Sequence, residues 1–143
     1  MTTQDNSAAI QDAERIYQAW TKAYATKDLE SVLALYAPDC VLESPLVNVL
    51  LNTTEGVVSG REALRHFAGI IIKSTPALVD RYRQSYFTDG KTMIWEYPRI
   101  TPTGEQTDMA EVMHIENGLI KAHRIYWGWV GSKLLQTDLY KQT

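Results

Sequence analysis

The sequence holds one cysteine, Cys40, among 143 residues. That excludes an internal disulfide and any zinc cluster built on cysteine. Histidine is almost as scarce. His66, His114 and His123 show no metal-ligand spacing such as HExxH, so no metal site and no cofactor is expected. Positive charge is not in excess: 14 Lys and Arg stand against 17 Asp and Glu, a net of −3. This argues against a nucleic-acid partner held by a basic surface. The longest apolar stretch, near Phe67 to Ile72, is far too short to span a bilayer, so no membrane partner is expected. Met1 to Asn6 is polar and lacks the basic-then-apolar order of a signal peptide. No repeat, low-complexity tract or linker divides the chain. The expectation is a single cytoplasmic domain over residues 1–143, with residues 1–7 as a disordered tail.

What is present suits a packed core. Hydrophobic residues make up 45% and charged residues 22%, an ordinary globular balance. A chain of this size buries about two-thirds of its unfolded surface and needs no covalent staple. Four Trp and eight Tyr are many for the length, and amphipathic aromatics suit pockets and interfaces.

Helical spacing of Ala13, Ile16, Trp20 and Ala23 predicts an amphipathic helix over residues 8–26. Asp28 is placed to cap a second helix, Leu29 to Tyr36. A short strand, Cys40 to Pro45, follows, then an unusually apolar loop over residues 46–58. Such a loop packs over a cavity or forms part of an interface. A third helix runs from Ser59 to about Lys73, with Leu64, Phe67 and Ile71 on its buried stripe. Four strands complete the chain: Val79 to Thr88, Lys91 to Thr101, Gln106 to Ile115 and Leu119 to Val130, with turns at Asp89-Gly90, Pro102-Thr103-Gly104 and Glu116-Asn117-Gly118. Helices followed by a mostly antiparallel sheet make an α+β domain. The expected shape is a cone-shaped barrel, its curved sheet wrapped around the N-terminal helices.

The ordered runs Asp28-Leu29-Glu30-Ser31-Val32, Leu35-Tyr36-Ala37-Pro38-Asp39-Cys40-Val41-Leu42-Glu43-Ser44-Pro45, Ser59-Gly60-Arg61-Glu62-Ala63-Leu64, Glu111 to Ile120 and Arg124-Ile125-Tyr126-Trp127 span nearly the whole chain. In them the sequence resembles the nuclear-transport-factor-two-like superfamily, and within it the SnoaL-like and ketosteroid-isomerase-like group. The resemblance implies the cone fold, a hydrophobic pocket and a homodimer formed through the outer sheet face. It does not by itself imply one chemistry, since the fold hosts isomerases, hydrolases, cyclases, dehydratase-like enzymes and binders. Steroid isomerases of the group use a carboxylate base, a tyrosine and a protonated acid. The matching positions here are Ser44, Trp20 and Glu111. A serine is no substitute for that base unaided, and an indole donates a hydrogen bond but does not titrate usefully. Steroid isomerisation by the family mechanism is therefore not expected. The aspartate of the epoxide-hydrolase branch is matched by Ile125, which removes that chemistry as well.

Period-two alternation assigns the faces of the strands. Met93, Trp95 and Tyr97 share one face, and a two-residue turn sets Tyr86 opposite Met93, Gln84 opposite Trp95, Tyr82 opposite Tyr97 and Arg83 opposite Glu96. Met109, Glu111, Met113 and Ile115 share another face, which puts Glu111 inside among apolar neighbours. A buried carboxylate needs a partner. A three-residue turn at Glu116-Asn117-Gly118 pairs it with His123, a dyad able to move a proton near neutral pH. A two-residue turn pairs it with Arg124, a structural ion pair. The expected catalytic residues are Glu111 and His123. The expected pocket walls and hydrogen-bonders are Trp20, Tyr24, Ser44, Trp95, Tyr97, Met113, Ile125 and Trp127. Three functions fit: a cofactor-independent acid–base enzyme acting on a small hydrophobic molecule, a non-catalytic binder of such a molecule, and a dimerising domain with a filled core. Tyr126 and Phe87 alternate to the outer face, and the loop Leu46 to Leu51 is a further candidate contact for a second copy. His114 and His66 read as surface residues, and Cys40 as an inert buried thiol.

Overall fold

A computed structural model describes residues 3–74, 85–100 and 104–136. The elements run α1 (Thr3–Ala25), α2 (Leu29–Leu33), β1 (Tyr36–Glu43), α3 (Pro45–Leu51), β2 (Val57–Ser59), α4 (Arg61–Ser74), β3 (Tyr86–Thr88), β4 (Thr92–Ile100), β5 (Gln106–Glu116), β6 (Leu119–Trp127) and α5 (Trp129–Leu135). The strands form one curved, unclosed sheet in the order β2-β1-β6-β5-β4-β3. Among the described residues only β1 and β6 pair in parallel; the other neighbours are antiparallel.

The core lies between the inner sheet face and the helices. On α1, Ala13, Ile16, Tyr17, Trp20 and Ala23 fall on one stripe and are all buried. Tyr17 and Trp20 meet Trp95 of β4 edge-on, with ring centroids 5.4 and 5.3 Å apart. Leu64, Phe67, Ala68 and Ile71 form the buried stripe of α4. The α1 helix starts at Thr3, so residues 3–7 extend it rather than forming a tail.

The turn after α1 is set by local hydrogen bonds. Asp28 N–H reaches back to Ala23 O at 2.8 Å, and Lys27 takes a left-handed conformation with φ 57°. Asp28 then caps α2: its carboxylate accepts from Ser31 N–H at 3.1 Å and from Ser31 O–H at 2.7 Å. Those bonds hold the Asp28 carboxyl below its ordinary range. A depressed folded-state pKa stabilises above the unfolded value, and the contribution is lost as pH falls through the folded one. Asp28→Ala is therefore expected to lower the urea midpoint at pH 7. The gap to the parent should close on acidification below about pH 4, and Asp28→Ser should recover part of it.

Three elements differ from the sequence reading. Residues 45–51 form a helix rather than a loop: Ser44 Oγ accepts from Leu46 N–H at 3.2 Å as N-cap, and Pro45 occupies the first turn. Serine followed by proline stops a strand and also starts a helix. Leu46, Val47 and Leu50 are buried by it, which removes the Leu46 to Leu51 segment as an exposed contact. β1 begins at Tyr36, four residues earlier than expected, because α2 is a single turn ending at Leu33. β6 stops at Trp127, and Gly128 leads into α5. Gly131 sits so close to the Trp127 ring that a Cβ there would lie 2.6 Å from it, so α5 presses directly on the end of β6.

The β3–β4 register also differs. Tyr86 faces Trp95 and Thr88 faces Met93, because the loop spans four residues instead of two. Thr88 Oγ1 and Asp89 Oδ1 fill that wider turn with bonds to Gly90, Lys91 and Thr92 backbone N–H groups. The shift by two residues keeps each side chain on its expected face. The expected partners Gln84, Tyr82 and Arg83 lie outside the described residues.

Candidate functional site

Alternation on β4 buries Met93, Trp95 and Tyr97 and exposes Ile94 and Glu96. On β5 it buries Met109, Glu111 and Met113. Glu111 is 2% exposed and His123 of β6 likewise 2%. Neither expected register holds between these strands. The turn has two residues, Asn117 (φ 53°) and Gly118 (φ 74°), the left-handed pair of a type I′ hairpin. A two-residue turn alone would set Arg124 against Glu111. A β-bulge then intervenes: Ile115 faces Ile120, but His114 faces Ala122, so Lys121 is the extra residue. Beyond it Glu111 faces Ile125, Val112 faces Arg124 and Met113 faces His123. His123 reaches Glu111 from the diagonal position on the same face.

Arg124 is thereby turned to the outer face. It donates to His114 Nε2 at 2.7 Å and lies 4.0 Å from Glu43, while His114 Nδ1 meets Thr92 Oγ1 at 3.2 Å. The Glu111–Arg124 ion pair does not form.

Inside the cone a continuous line of hydrogen bonds runs through four buried side chains. Tyr97 O–H donates to Glu111 Oε1 at 2.6 Å. His123 Nε2 lies 2.5 Å from Glu111 Oε2. Tyr36 O–H lies 2.8 Å from His123 Nδ1. The proton positions follow from counting donors. Among the described residues the Tyr36 hydroxyl has no other acceptor, so it donates to Nδ1. The imidazole then carries its proton on Nε2 and donates to Glu111, which is left as a carboxylate accepting from both sides. Burial pushes the Tyr36 hydroxyl well above the ordinary tyrosine value, with the nearby Tyr24 and Glu111 adding to the rise. The Trp20 indole N–H works against that rise but falls short of hydrogen-bond geometry. The phenol therefore stays a donor throughout the physiological range.

Glu111 and His123 open onto a pocket on the inner face. Of the expected walls, Trp20, Tyr24, Ser44, Tyr97, Ile125 and Trp127 line it. Trp95 and Met113 do not: they are 2% and 0% exposed and belong to the packed core behind it. Leu42, Leu46, Phe67, Ile71, Ile72 and Met109 complete the apolar wall, and Lys27 stands on its lining as well. The space free of atoms is about 670 Å³ with the open mouth included, but the centre of a water molecule reaches only about 50 Å³ of it. That admits a few waters and is narrower than the roughly 300 Å³ typical of a drug-sized ligand's site. Ser44 has a second duty as the cap of α3, so its oxygen is already engaged on one side. Cys40 is 1% exposed, and burial raises its thiol pKa, the state of an unreactive side chain.

Residues 15–123 match the sequence profile of the SnoaL-like domain. The chain belongs to the SnoaL-like family. No curated protein matches it in sequence. Among solved structures it is similar to a SnoaL-like protein of unknown function from Burkholderia thailandensis, with 17% identity, coverage of 82% of this chain and 95% of that one, and a TM-score of 0.70. It is also similar to a steroid delta-isomerase from Pseudomonas aeruginosa, with 15% identity, coverage of 90% and 88%, and a TM-score of 0.67. A third is a candidate polyketide cyclase from Sinorhizobium meliloti, with 17% identity, coverage of 78% and 94%, and a TM-score of 0.63. At these identities the likeness is one of fold. In this SnoaL-like domain no group of three or more His, Cys, Asp or Glu comes together among the described residues in a way that could hold a metal ion. No helix among them is long and apolar enough to cross a membrane.

Besides the added apolar wall, two polar residues of this SnoaL-like chain, Tyr36 and Lys27, escaped the sequence reading. Tyr36, expected as the last residue of the second helix, instead starts β1, and this turns its hydroxyl to His123. Lys27 follows the expected first helix and was not among the expected pocket residues. A polar residue ending a helix next to an aromatic-rich stripe was the available signal.

Proposed function

We propose that the pocket takes a small hydrophobic molecule and that Glu111, held by His123 and Tyr97, moves a proton on it without a cofactor, as an isomerase, cyclase or dehydratase does. The observation that carries this reading is the buried line Tyr36–His123–Glu111–Tyr97 ending at the wall of an apolar pocket. A carboxylate fixed between two donors is a base of defined orientation. The steroid isomerase and the candidate polyketide cyclase that share the fold support the reaction class. The carboxylate sits on the late strand, while Ser44, just past the end of the first strand, matches the position of the family's base, so the base differs in place from the family pattern.

A direct test is deuterium exchange at the α-carbon of 2-tetralone in D2O, followed by proton NMR. Exchange faster than in buffer supports the proton-transfer reading. Binding without faster exchange favours a non-catalytic binder. The narrowness of the pocket favours a third reading, a dimerising domain with a filled core, and neither binding nor exchange would establish it.

We also propose that two copies associate through the outer sheet face. Phe87, Ile94 and Tyr126 are 79%, 44% and 55% exposed there. Sedimentation should give a dimer at micromolar concentration and a monomer for Phe87→Glu combined with Tyr126→Glu. A monomeric parent chain overturns the proposal.

A further inference from the structure

We infer that Lys27 selects ligands carrying an anionic group at the mouth of the pocket, so that the preferred class is an aromatic or alicyclic carboxylate whose ring lies against the apolar wall. The inference rests on the proposed ligand pocket and adds the class of molecule that enters it. Three observations meet at this residue. Lys27 is exposed yet stands on the pocket lining, where it is the one fixed cation among the described lining residues. Among the described residues no ion pair engages its ammonium, whereas Lys121 pairs with Asp39 and Arg65 with Glu30. Its backbone is held in a left-handed conformation with φ 57°, at the helix-end position where glycine is the usual residue. A side chain costs strain at such a position, and a strained residue on the wall of a pocket is a reasonable sign of function.

The backbone fixes where the lysine side chain starts. Asp28 N–H bonds to Ala23 O and Lys27 N–H to Tyr24 O, so the helix end cannot turn without breaking both. This hold places Lys27 beside Tyr24, which also lines the pocket. The interior of the pocket has the opposite polarity, with the Glu111 carboxylate on the wall. An anionic group is repelled from that end and attracted to the lysine. A molecule with a carboxylate at one end and a carbonyl or hydroxyl at the other is thus drawn in with one orientation: carboxylate at Lys27, reacting group at Glu111. The protein carries a net charge of −3, so without Lys27 nothing in the overall field favours an anion.

The probes are benzoate and benzamide, equal in shape and different in charge, with affinities measured by calorimetry on the full chain. The parent is expected to prefer benzoate. Lys27→Gln should reduce the benzoate-to-benzamide affinity ratio about fivefold, the size of an exposed charge contact, and Lys27→Arg should restore it. The preference should fade in 0.5 M salt, where charges are screened within a few ångströms. Lys27→Gly separates this role from a structural one: glycine suits the left-handed turn, so its melting temperature should not fall while the preference for benzoate is lost. Equal preference for the two probes in the parent, or an unchanged ratio in Lys27→Gln, overturns the inference and leaves the pocket reading standing. Failure of both probes to bind overturns both.

Discussion

Glu111→Gln is expected to yield a folded protein that exchanges the α-protons of 2-tetralone at least about 100-fold more slowly than the parent, the lower range for loss of a general base. The amide keeps the size of the side chain and one acceptor. It cannot take up a proton, and its N–H₂ faces a donor whichever way it turns, Tyr97 O–H on one side and His123 Nε2–H on the other. The lost charge-assisted bonds should cost about 1.5–3 kcal/mol in chemical denaturation. A residue serving only as the counter-charge of a buried cation would behave otherwise, with a loss of about 3–5 kcal/mol and no effect on exchange. Here the partner is a neutral imidazole by donor count, so the chemistry should suffer more than the fold. Unaltered exchange in a folded Glu111→Gln protein would remove Glu111 from the mechanism.

Tyr36→Phe should act one step further back. The phenol does not reach the pocket lining; it fixes which nitrogen of His123 carries the proton. Without it Nδ1 is a buried acceptor with no donor, at a cost of about 1–3 kcal/mol. The imidazole becomes free to place its proton on either nitrogen. Exchange should slow about tenfold, a smaller loss than removal of the base itself, and nitrogen NMR should show mixed tautomers at His123 in place of one. The alkaline limb carries a second signature. The Tyr36 hydroxyl has a pKa raised well above 10 in the folded state. The unfolded chain ionises first, so this residue's contribution to stability is complete below about pH 10 and declines as pH rises toward the folded value. Tyr36→Phe has no such proton to lose. The stability gap between parent and variant should narrow above pH 10, and a constant gap would show that Tyr36 does not titrate in this way.

Much of the inner face could be read from alternation. Met109, Glu111 and Met113 follow a period of two without interruption, so their shared face did not depend on knowing their neighbours. The same holds for Met93, Trp95 and Tyr97, and it survived a two-residue slip in the β3 pairing because an even slip preserves the face. The diagonal contact of His123 could not be read this way. It depends on the bulge at Lys121, and an extra residue in a strand leaves no mark in composition or period. The α3 segment was ambiguous for another reason. A seven-residue segment that is apolar but for Asn48 is compatible with a loop under a lid or a buried helix, and only the cap made by Ser44 separates them. Lys27 is the converse case: its charge was visible, but its position on the pocket wall arises from the left-handed turn that ends α1.

The bulge in β6 also determines what a single deletion would do. Removal of Lys121 makes the hairpin regular from its turn onward and leaves every later pair as it is, with Met113 facing His123 and Glu111 facing Ile125. The register changes only if the bulge is smoothed with Lys121 kept: Arg124 would then stand opposite Glu111, and His123 would leave for the outer face. The bulge thus tolerates loss of its own residue but not its absorption into the ladder. Which side chain reaches Glu111 is set by one irregularity in the strand and not by the residues of the pair themselves.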